Sequence, residues 1–355
     1  MGSSKERSTA ERKGGAAKLM TSLDRITEQL TTMLRAKTGD SGARVSSVEP
    51  LPGHAAFGCS FVVERSVPGA TPSSKLVLRL APESVRIAGP ADVVLQAKRM
   101  ESLADTEVPV PPILWYGDEP EFFGRPYFVA AFVDSFKLAD MPDIPSDEVK
   151  RLARLGVSTL AALHRVDWQR RRAAWGEPQP LTEEMKRLDH LLDRPTVDPK
   201  DVGRAPELRD KLRSNIPETR SGCVHGDFQW GNLLFNNGRV AAVIDWEMAL
   251  LGPVLLDLGW LCFFAEPGKE IELGRMRGIA PLGCDEIVSI YSESGKFAVS
   301  KREVNWFRAF ACYRLGVLTC FNVMLHRRGK RHDPEWETLA LSAPGMFEYG
   351  LELLG

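Results

Sequence analysis

Apolar residues recur at helical spacing near the start of the chain. Leu23, Ile26, Leu30, Met33 and Leu34 stand three or four apart, which predicts one amphipathic helix. The period then shortens. RVSSVEPL, FGCSFVVER and KLVLRLAP are short runs rich in β-branched and aromatic residues, broken by Gly and Pro, and predict an antiparallel meander. A helix is expected from Ala91 to Leu103, after which VPVPPILWYG restarts extended structure and GRPYFVAAFV supplies a fifth strand ending near Val133. Beyond Asp134 the spacing is helical. SDEVKRLARLGVSTLAALHRV has Ser146 as its expected N-cap with Glu148 in the first turn, and further helices are expected over 181–194, 284–295, 301–328 and 335–354. The order predicts an α+β chain, mostly β over 21–133 and mostly helical over 134–355.

One stretch interrupts the helical part. VHGDFQWGN leads into LLFNNGRVAAVIDWE, where LLF and VAAVI are short strands and NNGR is a hairpin turn, because Asn and Gly tolerate positive φ. Antiparallel pairing returns the second strand to where the first began. Asn232, before the first strand, and Asp245, at the end of the second, therefore meet at the open end of the hairpin. Asp227 lies one short loop upstream of the same end. Two carboxylates and an amide oxygen converging there make a site for a hard divalent cation such as Mg²⁺, with one carboxylate left for other work.

Composition narrows the field. Hydrophobic residues at 43% and charged ones at 26% describe a soluble globular protein. The 46 Lys and Arg against 47 Asp and Glu, a net charge of −1, lack the basic footprint of a nucleic-acid binder. The six cysteines show no CxxC pair and fit buried thiols of a reducing, cytoplasmic compartment. The opening MGSSKERSTAERKGGAAK has no apolar core of a signal peptide, and a disordered tail is expected over 1–20. From Phe307 to Leu325 the chain is apolar enough to raise a membrane span, yet Arg308 and Arg314 would be costly in lipid. A core helix is the expectation, with no membrane partner. Nothing sets the oligomeric state.

Asp, four residues, Asn, a hairpin and a strand-end Asp is the spacing of the protein-kinase catalytic loop and its metal-binding aspartate. HGD stands in place of HRD and IDWE in place of DFG, so the chain resembles the aminoglycoside phosphotransferase and choline kinase-like branch of that superfamily. Within it the sequence is most similar to the kinase-like domain fused to certain acyl-CoA dehydrogenases. The resemblance implies a two-lobed protein kinase-like fold and an ATP- and Mg²⁺-dependent kinase acting on a small hydroxylated molecule. Asp227 would orient the acceptor hydroxyl and take its proton, while Asn232 and Asp245 would hold Mg²⁺. His225 would brace the loop, and Asp257 in GPVLLDLGWL would be a structural aspartate.

The first lobe departs from that pattern. LPGHAAFG, the expected phosphate-covering loop, offers only Gly53 and Gly58. Arg79 stands where a lysine should meet the nucleotide phosphates, with Lys75 at the strand entrance, and Gln96 stands where a glutamate should pair with it. Adenine would bond to backbone groups near Ala131 and Val133. His164 is expected to be a buried helix-end residue; Trp246, Trp260 and Phe263 could line a substrate cleft, but most of them are expected to be core aromatics. Balanced charge and Arg302, Arg308, Arg314, Arg327 and Arg328 weaken an aminoglycoside acceptor, and the resemblance implies a hydroxyacyl thioester or another hydroxylated metabolite instead. The competing expectation is a nucleotide-binding pseudokinase without turnover.

Overall fold

The computed structural model describes residues 23–51, 57–66, 73–83, 87–140, 144–269, 271–273 and 279–355. The expected N-terminal tail and Gly53 lie outside them. The chain divides into two compact units, one of Met1–Glu101 with Pro111–Phe132, the other of Ser102–Val110 with Val133–Gly355.

In the first unit five antiparallel strands, β1 (Arg44–Pro50), β2 (Phe57–Glu64), β3 (Ser73–Leu80), β4 (Ile113–Gly117) and β5 (Tyr127–Ala131), stand in the order β1-β2-β3-β5-β4. The apolar stripe of the 23–38 helix makes one core with alternate residues of the strands: Ile26, Leu30, Met33 and Leu34 lie with Cys59, Phe61, Leu76, Leu78 and Leu80. Each fully buried leucine contributes about 1.5–3 kcal/mol. Because strand side chains alternate, burying Leu76, Leu78 and Leu80 puts Lys75, Val77 and Arg79 on the other face of β3. The next helix is Val93–Leu103, preceded by a single turn of 3₁₀ helix at Gly89–Ala91.

The second unit is built on the helices Ser146–Arg165, Leu181–Leu192, Ala205–Arg213, Leu255–Ala265, Cys284–Gly295, Lys301–Arg327 and Ala343–Leu354. Two small antiparallel sheets, β6 (Ser221–Val224) with β9 (Leu250–Pro253) and β7 (Leu233–Asn236) with β8 (Arg239–Val243), carry the loop of interest. Two boundaries differ from expectation. Ser146 is the first helical residue rather than the cap. Pro145 takes the cap position and its carbonyl accepts the amides of Glu148 and Val149, both at 3.0 Å. The expected 335–354 helix breaks into Glu335–Ala340 and Ala343–Leu354, since Pro344 has no amide hydrogen for a continuous helix and is tolerated only in a first turn.

Lys301–Arg327 starts from a capping box, with Ser300 Oγ accepting from Glu303 N at 3.2 Å and the Glu303 carboxylate accepting from Ser300 N at 2.8 Å. It is long and apolar enough to cross a membrane, but 72% of its apolar window is buried inside the fold. All six cysteines are free and buried.

Asp40 joins the end of the 23–38 helix to the strands. Its buried carboxylate accepts from Ser66 N at 2.9 Å, Gly42 N at 3.1 Å, Arg65 Nε at 3.2 Å and the Ser66 hydroxyl. Chiefly the Ser66 hydrogen bonds hold its pKa down to about 2. A depressed carboxylate stabilises the fold above its unfolded value of 3.8 and loses that contribution as the pH falls toward 2. Asp40→Asn is therefore expected to lower stability at pH 7, and urea denaturation should show the deficit shrinking once the pH drops below 3.8. A deficit constant down to pH 3 would contradict it.

Candidate active site

The hairpin positions half of the site. Asn237 and Gly238 both have positive φ, 49° and 68°, the pair of conformations that closes a two-residue turn with the twist of the strands. Leu233 then pairs with Val243, and Ile244 N donates to Asn232 O at 3.0 Å, which sets Asn232 and Asp245 at the open end. Asp245 itself is left-handed (φ 67°, ψ 58°), a conformation costing on the order of 1 kcal/mol for a residue with a Cβ.

Between Val224 and Asn232 the loop is held from within. Asn232 Nδ2 donates to Asp227 O and to Asp227 Oδ2, both at 2.9 Å, so its Oδ1 forms the acceptor end of the amide. Gln229 Nε2 spans the Asp227 carboxylate at 3.1 and 3.2 Å, and Trp260 Nε1 donates to Oδ1 at 2.8 Å. His225 Nδ1 accepts from Asp227 N at 3.2 Å, which leaves Nε2 to donate to Ile244 O at 2.9 Å. Both ring nitrogens are thus engaged by backbone, and the ring joins the loop to the second strand of the hairpin. Gly226, at φ 82°, runs so close to the 3₁₀ turn Trp246–Met248 that a Cβ there would lie 2.2 Å from Met248 O.

Asp257 fixes the loop from below. Its fully buried carboxylate accepts His225 N and Gly226 N, each at 2.7 Å. His164 Nε2 stands 3.3 Å away, and its Nδ1 is 2.8 Å from the Tyr291 hydroxyl. Burial lowers the His164 pKa, with Asp257 opposing, and burial raises that of Tyr291. The neutral chain Tyr291 O–H to Nδ1, Nε2–H to Asp257 follows. From the far side Arg314 Nη1 donates to Gly226 O at 2.6 Å while its guanidinium lies 4.7 Å over the Trp260 ring.

Electrostatics mark the same place. Burial pushes the Asp227 carboxyl above the usual carboxylate range; the His225 ring opposes this, Asp245 adds to it, and Arg314 opposes it again. Two neighbouring carboxylates, one of them costly to ionise, beside an amide oxygen fit a hard cation. Among the described residues no group of three or more His, Cys, Asp or Glu could hold a metal alone.

The other expected residues sit in the first unit or at its end. Gly58 pairs with Arg79, and a Cβ on Gly58 would come within 3.0 Å of Arg79 Nη1, so the glycine leaves the guanidinium its room. Gln96 is buried and its Nε2 donates to Pro90 O at 2.9 Å, within the turn before its own helix. Ala131 N donates to Pro112 O at 2.8 Å. Val133 O accepts from Ser135 Oγ at 2.8 Å. Of the five C-terminal arginines, Arg308 bonds Tyr349 and Glu266 O, and Arg327 bonds Asp201 and Glu337. Arg314 reaches the loop. It, Trp260 and Gln229 are the site residues that spacing did not reveal, since no short-range pattern distinguishes them from core or surface.

An antiparallel-sheet unit and a mostly helical unit carrying this loop and hairpin define a protein kinase-like phosphotransferase fold. The chain belongs to the phosphotransferase enzyme family (APH), which matches residues 58–283. It is similar to a Ralstonia eutropha JMP134 protein provisionally assigned as an aminoglycoside phosphotransferase, with TM-score 0.74 and 23% identity over 92% of this chain and 98% of that one. Aminoglycoside phosphotransferase APH(4)-Ia, in a ternary complex with ADP and hygromycin B, superposes with TM-score 0.59 and 18% identity over 91% and 98%. Among curated proteins the chain is 27% identical to Arabidopsis thaliana "Probable acyl-CoA dehydrogenase IBR3" over 59% of this chain and 27% of that protein. It is 25% identical to Gallus gallus acyl-CoA dehydrogenase family member 11 over 78% and 37%. The chain thus spans well under half the length of these two relatives.

Removing the carboxylate under the loop is the direct test of this architecture. Asp257→Ala would strand two buried amides at about 1–3 kcal/mol each. Thermal or urea unfolding should show a loss of several kcal/mol, and Gly226→Ala should be similarly damaging through its clash. Near-native stability in both would show that the loop is held otherwise.

Proposed function

We propose that this phosphotransferase moves the γ-phosphate of ATP, with Mg²⁺, to a hydroxyl of a small molecule. The observation that carries the reading is the convergence of Asp227, Asn232 and Asp245 at one hairpin end. Phosphoryl transfer asks a protein mainly for positioning and charge neutralisation, and these residues divide that work. Asp227 orients the acceptor hydroxyl and takes its proton. A raised pKa suits that task by making the carboxylate a stronger base. Asp245 and the Asn232 amide oxygen would hold Mg²⁺, which supplies charge neutralisation to the phosphates. In the first unit Arg79 is the candidate phosphate contact, and its fork of donors suits phosphate.

For the acceptor, the curated relatives named as acyl-CoA dehydrogenases favour a hydroxyacyl thioester or similar metabolite. Structural neighbours bound to ADP or AMP-PNP with hygromycin B support nucleotide use and keep aminoglycosides in any screen. A cytoplasmic enzyme with no nucleic-acid or membrane partner completes the proposal.

Three measurements decide it. ATP should bind weakly in EDTA and tightly with Mg²⁺, and Asp245→Ala should abolish that difference; equal affinity in EDTA would remove the metal role. Asp227→Asn should keep nucleotide binding yet cut turnover at least about a hundredfold, read with the acceptor found by screening hydroxylated metabolites, acyl-CoAs and aminoglycosides for ADP release. Arg79→Ala should weaken ATP binding and turnover together, by about 2–4 kcal/mol in transition-state stabilisation, with Arg79→Lys recovering part. Wild-type kinetics in Arg79→Ala would move the phosphate contact elsewhere, and nucleotide binding without any turnover would favour the pseudokinase.

A further inference from the structure

We propose that Trp260 is a positioning residue for the Asp227 carboxylate, a role that rests on the reading of Asp227 as the group receiving the acceptor's proton. Three side chains donate to that carboxylate. Asn232 and Gln229 belong to the same loop and move with it, whereas Trp260 comes from the Leu255–Ala265 helix. Asp257 lies three residues before Trp260, so one face of one helix turn holds both the loop's backbone amides and its reacting carboxylate.

That helix is itself fixed. A Cβ on Gly259 would lie 2.5 Å from the Phe307 backbone carbon, so the helix sits directly against Lys301–Arg327 with no room to slide. The indole is held too. The Arg314 guanidinium lies 4.7 Å from the ring centroid, and Phe264 packs edge-on at 5.1 Å. Arg314 simultaneously binds Gly226 O, so ring and loop are pinned by one cation.

The chemistry of the donor matters. An indole N–H donates and cannot accept, so Trp260 fixes Oδ1 without competing for the proton that the carboxylate must receive. Asn232 fixes Oδ2 in the same way. Gln229 bridges both oxygens at 3.1 and 3.2 Å, the longest of these bonds. Trp260 thus presents the carboxylate in one orientation toward the acceptor.

The test uses the full chain with ¹⁵N-labelled indoles. The Trp260 signal is identified by its loss in Trp260→Phe, a variant that keeps an aromatic ring and removes the donor. In Asp227→Ala that indole proton should move upfield and exchange faster, while those of Trp306 and Trp336 stay in place. In a second arm, ADP formation from MgATP with water as acceptor should be about tenfold slower in Trp260→Phe at unchanged MgATP affinity, the scale of one hydrogen bond to a charged group. An indole signal indifferent to Asp227→Ala, or wild-type ADP formation in Trp260→Phe, would overturn the proposal. No ADP from wild type with any acceptor would instead sink the phosphotransfer reading, and the indole arm would still decide the contact.

Discussion

One buried carboxylate carries the site. Asp257 has no exposed surface, and a charge so placed is tolerated only if its oxygens are filled. The amides of His225 and Gly226 fill them with short, charge-assisted bonds. Neither amide belongs to a helix or strand ladder, so each would otherwise be a buried donor without an acceptor. The need is mutual: the loop requires an anion beneath it, and the anion requires the loop. Everything above follows from where that exchange sets Gly226, whose positive φ turns the chain toward Asp227 and whose carbonyl meets Arg314.

Above that anchor the site is built to hold charge under tension. Burial and the neighbouring Asp245 disfavour ionisation of Asp227, and Asp245 adopts a backbone conformation that most side chains avoid. The surrounding elements make this tolerable. The hairpin turn dictates where Asp245 falls, the His225 ring joins the two halves, and Trp260, Asn232 and Gln229 supply donors. A dication bound there would offset these costs, which is the sense in which the protein is prepared for its proposed metal.

Much of this was legible in the sequence, and unevenly so. The hairpin was plain because NNGR admits few other conformations, and its pairing carried Asn232 and Asp245 together without further information. The strand alternation in KLVLRLAP placed Arg79 opposite the leucines that form the core. Helix boundaries failed where proline decided them. Ser146 looked like a cap, but the carbonyl of Pro145 already occupied that role, and Pro344 divided a helix that apolar spacing alone continues. Trp260 and Arg314 were unreadable for another reason. A tryptophan in an apolar helix is indistinguishable from core until the direction of its N–H is known, and an arginine inside an apolar run shows its partner only in three dimensions.

The loop's dependence on later parts of the chain also has a meaning in time. His225 and Gly226 bind a carboxylate 32 and 31 residues further on, and Gly226 binds a guanidinium 88 residues further on. During synthesis the motif is therefore made long before the groups that shape it. While the chain is still growing, HGD can be present as a sequence without being present as a site. The shape of the loop thus depends on the last third of the molecule, where Asp257 and Arg314 lie with Asp245, although Asp227 and Asn232 are encoded before it.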